Sequence, residues 1–284
     1  MSRAYLTGKA KLAGVIGYPI AHTKSPLIHG YWLNKHDIDG VYMPLRVHPD
    51  QLEQALRALP VLGFRGCNLT IPHKELAIKI VDQLTSLARR VGAANTIIVS
   101  EDGRLIGDNT DVFGFVENLK SGGFDLHNTN AHVVVLGAGG AARGIVVALQ
   151  ELGAKKITIV NRSAERAETL CRELNFGGEM ECASWDQRNN VISDASLVVN
   201  ATSLGMTGQQ ELDIDLTVIS PTAWVTDAVY TPLKTGLLKK AEEKGCRVID
   251  GLGMLLHQAR PGFEAWFGQK VDVTAELRDL VLHG

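Results

Sequence analysis

The stretch that most constrains this chain is an apolar run that empties directly into glycine. His132-Val-Val-Val-Leu136 is short and β-branched, and Gly137-Ala-Gly139-Gly140-Ala-Ala142 follows it without a spacer, opening a helical pattern over Ala141 to Leu152. A further apolar run, Lys156-Ile-Thr-Ile-Val160, comes next. Strand, glycine turn, helix and strand in that order make a βαβ unit of a parallel sheet. In the G-x-G-x-x-G/A spacing the first glycine permits the tight turn and the second lets the backbone approach a pyrophosphate, whose charge meets the free N–H groups of the helix start. A glycine-rich turn used only for packing has the same composition; the intact order of elements favours a bound dinucleotide.

The second strand of that unit ends Val160-Asn161-Arg162-Ser163, with Arg166 one helical turn further on. A carboxylate at this place would hydrogen-bond a free ribose 2′-hydroxyl, whereas two guanidinium groups suit a 2′-phosphate, which Arg grips bidentately. NADP is therefore favoured over NAD. Arg162 and Arg166 on one solvated helix face remain the plainer alternative.

Similar alternation runs through the rest of the chain. Leu12 to Gly17 and Val41 to Leu45 read as strands, with helices starting near Ser25 and spanning Gln51 to Leu59. Leu197 to Val199, Trp224 to Val225 and Arg247 to Ile249 continue the later series. This predicts two α/β units with mostly parallel sheets, divided between Asp111 and His132, where a helix over Val112 to Leu119 leads into the polar stretch from Ser121 to Asn130. A final helical pattern from Met254 to Phe267 is expected to cross back onto the first unit.

At 284 residues the chain has room for about two domains. Hydrophobic residues at 45% and charged residues at 21% fit an ordinary globular protein. Lys plus Arg at 29 against Asp plus Glu at 31 leaves −2, without the basic surplus that phosphate-backbone binding needs, so nucleic acid is disfavoured. Cys67, Cys171, Cys182 and Cys246 form no CxxC pair, so neither a disulfide framework nor a zinc spacing is expected, and a reducing cytoplasm suits them. The opening residues hold no signal-peptide core, and no run of about 18 apolar residues predicts a membrane span.

Six polar stretches interrupt the apolar runs: His22 to Pro26, Asn68 to Lys74, Ala94 to Thr96, Asp108 to Asp111, Tyr230 to Pro232, and His257-Gln258. Each falls where a strand ends or a helix begins, the edge at which open α/β sheets bind ligands. Their hydroxyls, amides, ammonium and carboxylate groups match a small polyhydroxylated ligand. Lys74 and Asp111 are the candidates for chemistry, since reducing a ketone requires a proton delivered to the developing alkoxide. Taken singly, each also reads as structural: a lysine starting a helix after Pro72, and an acid capping the Val112 helix.

Pro19-Ile-Ala-His-Thr-Lys-Ser-Pro-Leu-Ile-His29, Asn68-Leu-Thr-Ile-Pro-His-Lys74, Gly92-Ala-Ala-Asn-Thr96, Gly107-Asp-Asn-Thr-Asp-Val-Phe-Gly114, the Gly137 turn, Asn161 to Arg166, Asn200-Ala-Thr-Ser203, Asp227-Ala-Val-Tyr-Thr-Pro232 and Gly251-Leu-Gly-Met-Leu255 with Gln258 occur in this order. Together they resemble the shikimate dehydrogenase family over nearly the whole chain. The resemblance implies reversible reduction of 3-dehydroshikimate to shikimate with NADPH, with Lys74 and Asp111 in the positions of the catalytic pair. It implies substrate contacts from Thr23, Ser25, Thr70, Asn95, Tyr230 and Gln258. Cofactor contacts are implied for Gly137, Ala138, Gly139, Gly140, Ala141, Asn161, Arg162, Ser163, Arg166, Thr202, Ala228, Gly251 and Met254.

The implied architecture is a two-domain α/β protein with an N-terminal βαβ substrate domain, residues 1–111 and 253–284, and a Rossmann NADP-binding domain, residues 112–252, around an interdomain cleft. A cytoplasmic monomer or homodimer acting on a small molecule, with no metal, completes the expectation. Thr23 stands where the family usually has Ser; the hydroxyl survives, but the branched β-carbon restricts χ1 and adds a methyl. This keeps quinate or an aminated shikimate open as substrate. Ser163, where Thr is common, keeps its hydroxyl.

His22, His29, His73 and His257 lack a metal-ligand spacing, and Trp32, Trp185, Trp224 and Trp266 read as packing residues. Cys67 adjoins the substrate motif without a basic neighbour to activate it. Two competing classes are a non-catalytic NADP-binding regulator, against which the joint presence of Lys74, Asp111, Asn95 and Gln258 argues, and a methyltransferase, in which Asn161-Arg162 would have no phosphate to bind.

Overall fold

The computed structural model describes residues 6–125, 132–175 and 178–284, so the end of the predicted connecting stretch, 126–131, lies outside the described residues. The chain forms two compact units, one of Met1–Thr110 with Leu256–Gly284, the other of Asp111–Leu255.

In the first unit the chain runs β1 (Lys11–Gly17), α1 (Ser25–Lys35), β2 (Gly40–Arg46), α2 (Leu52–Val61), β3 (Phe64–Leu69), α3 (Lys74–Ala77), β4 (Gln83–Leu84), α4 (Ser86–Val91), β5 (Thr96–Val99) and β6 (Leu105–Asp108). The six strands form one sheet in the order β2-β1-β3-β5-β6-β4. The pairs β1–β2, β1–β3 and β4–β6 are parallel, as the alternating pattern predicts, but β5 runs antiparallel to both β3 and β6. A tight loop makes that reversal. Gly103, at φ +83°, closes it by donating its N–H to Ser100 O at 2.9 Å, and Ser100 N bonds Arg104 O at 2.9 Å. The Asp102-Gly103 pair is the hairpin signal that marks it in the sequence.

The second unit runs α5 (Asp111–Ser121), β7 (His132–Leu136), α6 (Gly140–Glu151), β8 (Lys156–Asn161), α7 (Ala164–Leu174), β9 (Glu179–Ser184), α8 (Arg188–Val191), β10 (Leu197–Asn200), β11 (Trp224–Asp227), α9 (Gly236–Glu243) and β12 (Arg247–Ile249). Its sheet order, β12-β11-β10-β7-β8-β9, with every pair parallel, is the doubly wound dinucleotide-binding order. All five residues of β7 are buried, because helices cover both faces of such a sheet. Its core gathers Val134, Leu136, Val160, Val198 and Val225 from four adjacent strands.

Helix α10 (Leu252–Phe267) begins in the second unit and ends in the first, and α11 (Ala275–His283), absent from the sequence reading, follows it. Thr274 caps α11 by accepting Leu277 N at 3.2 Å. The expectation of unlinked cysteines is corrected at one place: Cys171 and Cys182 form a disulfide. They are 11 residues apart, so no short spacing announces them. They meet because α7 packs against β9.

Trp32, Trp266 and Trp224 are buried, as expected of packing residues. In the first unit Trp32 and Tyr42 enclose His29, which is fully buried and stacks on Tyr42 at 3.8 Å with an interplanar angle of 6°. Neither ring nitrogen has a hydrogen-bond partner, and burial lowers the imidazole to about 3. Asn68 acts in the opposite direction and is outweighed by burial.

An unfolded histidine titrates near ~6.5. Between that value and about 3 the unfolded chain binds a proton that the folded chain refuses, so stability rises with pH across this window and is lost as pH falls through it. Urea midpoints measured at about pH 4, 5, 6 and 7 are expected to fall toward acid in the wild type and to fall less steeply in His29→Phe.

Candidate active site

The antiparallel insertion decides which polar residues of the first unit meet. Because β5 reverses direction, its first residues lie beside the last residues of β3: Asn68 pairs with Thr96, and Thr96 pairs with Asp108 at the end of β6. Three of the polar stretches are thus drawn to one edge of the sheet. Backbone bonds tie them: Leu69 N to Asn95 O at 2.7 Å, Asn95 N to Asp108 O at 3.0 Å, Ala94 N to Lys74 O at 2.9 Å, and Thr70 N to Ile16 O at 3.0 Å.

The buried side chains at this edge satisfy one another. Tyr42 Oη donates to Asn68 Oδ1 at 2.6 Å, and Asn68 Nδ2 donates to Asn95 O at 3.2 Å and Thr96 Oγ1 at 3.1 Å. Asn95 Oδ1 accepts from Thr110 N at 2.8 Å, and Asn95 Nδ2 donates to Gln258 Oε1 at 3.3 Å. Gln258 comes from α10, 163 positions away. An unpaired buried amide costs about 1–3 kcal/mol, so each bond also holds a side chain in one direction.

The structure therefore joins Asn95 and Gln258 directly and places Thr70 one residue beyond the Leu69–Asn95 bond. Lys74, half-buried, opens α3 with its carbonyl bound to this edge.

Thr23 and Ser25 form a second polar group at the start of α1, where Ser25 N donates to Thr23 Oγ1 at 3.3 Å. Ser25 is buried and Thr23 partly so. Lys24 between them serves otherwise: its Nζ reaches Val281 O in the last turn of α11 at 2.7 Å, where the negative end of the helix dipole welcomes an ammonium. Sequence reasoning missed the roles of Lys24, Tyr42, Asn68 and Thr110. A tyrosine in β2 and an asparagine near the end of β3 were the available signal. Cys67 is buried, and its thiol is pushed well up by that burial, in keeping with an inert role.

In the second unit the glycine turn has the predicted geometry. Gly137 sits at φ +112°, in the region that favours glycine, and a Cβ there would come 3.0 Å from Thr202 Cγ2 and 3.2 Å from Ala201 O. Thr202 thereby packs on the turn. A Cβ on Gly139, the residue preceding α6, would meet no atom within 4 Å, so the backbone faces open space where an anion can approach.

Asn161 Nδ2 donates to Ser163 O at 3.0 Å, and Ser163 Oγ caps α7 by accepting Arg166 N at 3.3 Å. Arg162 and Arg166 are exposed. A Cβ on Gly251 would fall 2.6 Å from both Asp227 O and Val229 O, so Gly251 and Ala228 are brought together. Ala138, Gly140 and Ala141 are partly buried along the turn, and Met254 is buried early in α10. These donors and the open backbone fit a phosphorylated dinucleotide. Tyr230 and Asp111 belong to this second unit, the other expected substrate residues and Lys74 to the first; Asp111 is 4% exposed as the first residue of α5.

Residues 15–97 match the sequence profile of the shikimate dehydrogenase substrate binding domain, 120–207 that of shikimate / quinate 5-dehydrogenase, and 251–278 that of the shikimate 5′-dehydrogenase C-terminal domain. A shikimate dehydrogenase (NADP(+)) of Rhodospirillum rubrum is 52% identical over 98% of this chain and 99% of its own. The chain belongs to the shikimate dehydrogenase family. Among solved members of similar fold, the shikimate 5-dehydrogenase of Thermus thermophilus in complex with NADP(H) and shikimate has a TM-score of 0.85 at 33% identity, covering 96% of this chain and 99% of that one. The quinate dehydrogenase of Corynebacterium glutamicum in complex with NAD reaches 0.88 at 31% identity, over 96% and 99%.

In this shikimate dehydrogenase family member Gly137→Ala is expected to lose roughly 1–2 kcal/mol of stability, because an L side chain resists the positive φ. Gly139→Ala is expected to leave stability near that of the wild type and to weaken dinucleotide binding instead. Thermal denaturation with and without NADP separates the two effects.

Proposed function

We propose that the chain catalyses the reversible, NADP-dependent reduction of 3-dehydroshikimate to shikimate, in the pathway that leads to aromatic amino acids. The observation that carries this reading is the buried amide network of Asn95, Thr110, Gln258 and Asn68 at the edge where Lys74 begins its helix, in a chain of this family. Such preoriented amides and hydroxyls recognise a ring of hydroxyl groups by direction. Thr23 and Ser25 hold the substrate carboxylate with neutral donors, and Thr70, Asn95, Gln258 and Tyr230 meet the ring hydroxyls.

Bound NADPH supplies the hydride. Lys74 gives its proton to the oxygen of the carbonyl as negative charge develops there and takes it back in the reverse direction; Asp111, buried at the start of α5, is the second residue of the catalytic pair. Asn161, Arg162, Ser163 and Arg166 receive the 2′-phosphate, whose charge the two guanidinium groups match. The Gly137 turn, from Gly137 to Ala141, receives the pyrophosphate, and Thr202, Ala228, Gly251 and Met254 complete the dinucleotide site. Substrate binding is the task of the first unit and NADP binding that of the second. The enzyme works in the cytoplasm as a monomer or homodimer.

Quinate is the second substrate to compare directly, because Thr23 adds a methyl beside the carboxylate site and a quinate dehydrogenase is among the similar structures. The ratio of kcat/KM for shikimate and quinate decides between them.

Purified protein with shikimate and NADP is expected to show rising absorbance at the nicotinamide band. Lys74→Ala should lower kcat by about 10² or more with an unchanged circular dichroism spectrum; full activity would remove Lys74 from the mechanism. Arg162→Gln with Arg166→Gln should raise the KM for NADP about tenfold or more while leaving that for NAD nearly unchanged, since charge-assisted bonds to the phosphate are worth ~1.5–3 kcal/mol.

A further inference from the structure

Asp227 ends β11 and is 1% exposed, yet its two oxygens accept hydrogen bonds from neutral donors only. Asn200 Nδ2 and Val229 N reach Oδ1, each at 2.9 Å, and Thr235 Oγ1 reaches Oδ2 at 2.7 Å. The charge that acts on it, Glu211, has the same sign, and burial with that neighbour pushes the carboxyl up to about 6. Burying a carboxylate without a cation is costly, and the three bonds it accepts offset part of that cost.

Each of the three leads into a loop of the dinucleotide-binding unit. Asn200, at the end of β10, is fully buried; its Oδ1 accepts Thr202 N at 3.0 Å and Thr202 Oγ1 at 2.7 Å, and its Nδ2 also donates to Leu204 O at 3.0 Å. Val229 lies between Ala228 and Tyr230. Thr235 caps α9 by accepting Leu238 N at 3.4 Å and so closes the loop that begins at Ala228. Backbone bonds from Ala228 N to Asn200 O and from Thr207 N to Thr231 O, both at 2.8 Å, run between the same two loops.

We infer that Asp227 is a positioning residue whose carboxylate clamps the 201–207 and 228–235 loops together and so sets Thr202, Ala228 and Tyr230 for dinucleotide and substrate. The inference rests on the contacts assigned to those three residues in the proposed function. The ionised carboxylate offers both oxygens as acceptors to the three donors, whereas a protonated one carries on Oδ2 a hydroxyl that must itself find an acceptor. Asn200 Nδ2 and Val229 N cannot reverse their roles, whereas the Thr235 hydroxyl can rotate and accept instead. Protonation therefore weakens the clamp at its Thr235 side without dissolving it, and Asp227→Asn mimics that state because its amide nitrogen can face Thr235. The groups around the carboxylate are Asn200 from β10, Val229 N and Thr235 from the following loop, and Glu211. Of these, Glu211 is the one that bears a charge of the same sign.

The test is NADPH titration by fluorescence from about pH 5 to 8 on wild type, Asp227→Asn and Asp227→Ala, with thermal denaturation of each. Asp227→Ala removes all three acceptor contacts and is expected to raise the Kd for NADPH about tenfold or more. Asp227→Asn is expected to bind about threefold more weakly than wild type near pH 8 and equally near pH 5, since a fully formed clamp exists only when the carboxylate is ionised. The 2′-phosphate of the ligand titrates in the same range, near ~6, but does so identically for both proteins and cancels from the ratio.

Should Asp227→Ala fail to fold, the Asp227→Asn ratio decides alone. A folded Asp227→Asn whose NADPH affinity follows the wild-type pH profile without offset overturns the inference. The titration needs no turnover, so wild-type protein inactive on shikimate would count against the proposed reaction and leave the clamp to be judged on its own data.

Discussion

A side-chain amide buried without a partner costs about 1–3 kcal/mol, and the first unit buries Asn68 and Asn95 almost side by side. Everything at that edge of the sheet follows from satisfying them. Tyr42, Thr96, Thr110 and Gln258 are each drawn in as a donor or acceptor, and each is itself buried by the arrangement. The result is a rigid array of polar groups whose directions are set before any ligand arrives. Preorganisation of this kind is what a site for a small hydroxylated acid requires, because donors already aimed need not be ordered on binding.

The second unit solves a harder version of the same problem. There the buried group is a carboxylate, Asp227, and its partners are an amide, a backbone N–H and a hydroxyl rather than a cation. Both units thus hold their functional loops with hydrogen bonds from strand ends. The parallel strands of a doubly wound sheet all finish at one edge, so residues such as Asn200 and Asp227, at matching positions of β10 and β11, become neighbours.

Much of this was legible beforehand, for reasons that differ by element. The Gly137 turn was readable because backbone sterics are local: only glycine tolerates φ +112° there, and the apolar run before it can serve only as a strand covered on both faces. His132 to Leu136 and Arg247 to Ile249 have the predicted bounds. The antiparallel pair β5–β6 was missed although Asp102-Gly103 signals a hairpin, because strands of four residues carry little periodicity. Helix α11 is short and buries two residues, Leu277 and Val281, too few to mark a helical period. The Cys171–Cys182 pairing joins a helix to an edge strand, a contact that no spacing rule encodes.

By itself the sequence determined the strand, glycine turn, helix and strand around Gly137 and the places of Arg162 and Arg166 after β8, since each depends on a few adjacent residues. Only the tertiary structure decided that Asn95 and Gln258 touch, that Lys24 tethers α11, and that Asp227 faces Asn200 and Thr235. Those meetings depend on strand direction and on segments up to 257 positions apart. Contacts of that range are selected by the packing of the whole unit, whose free energy no single stretch of chain contains.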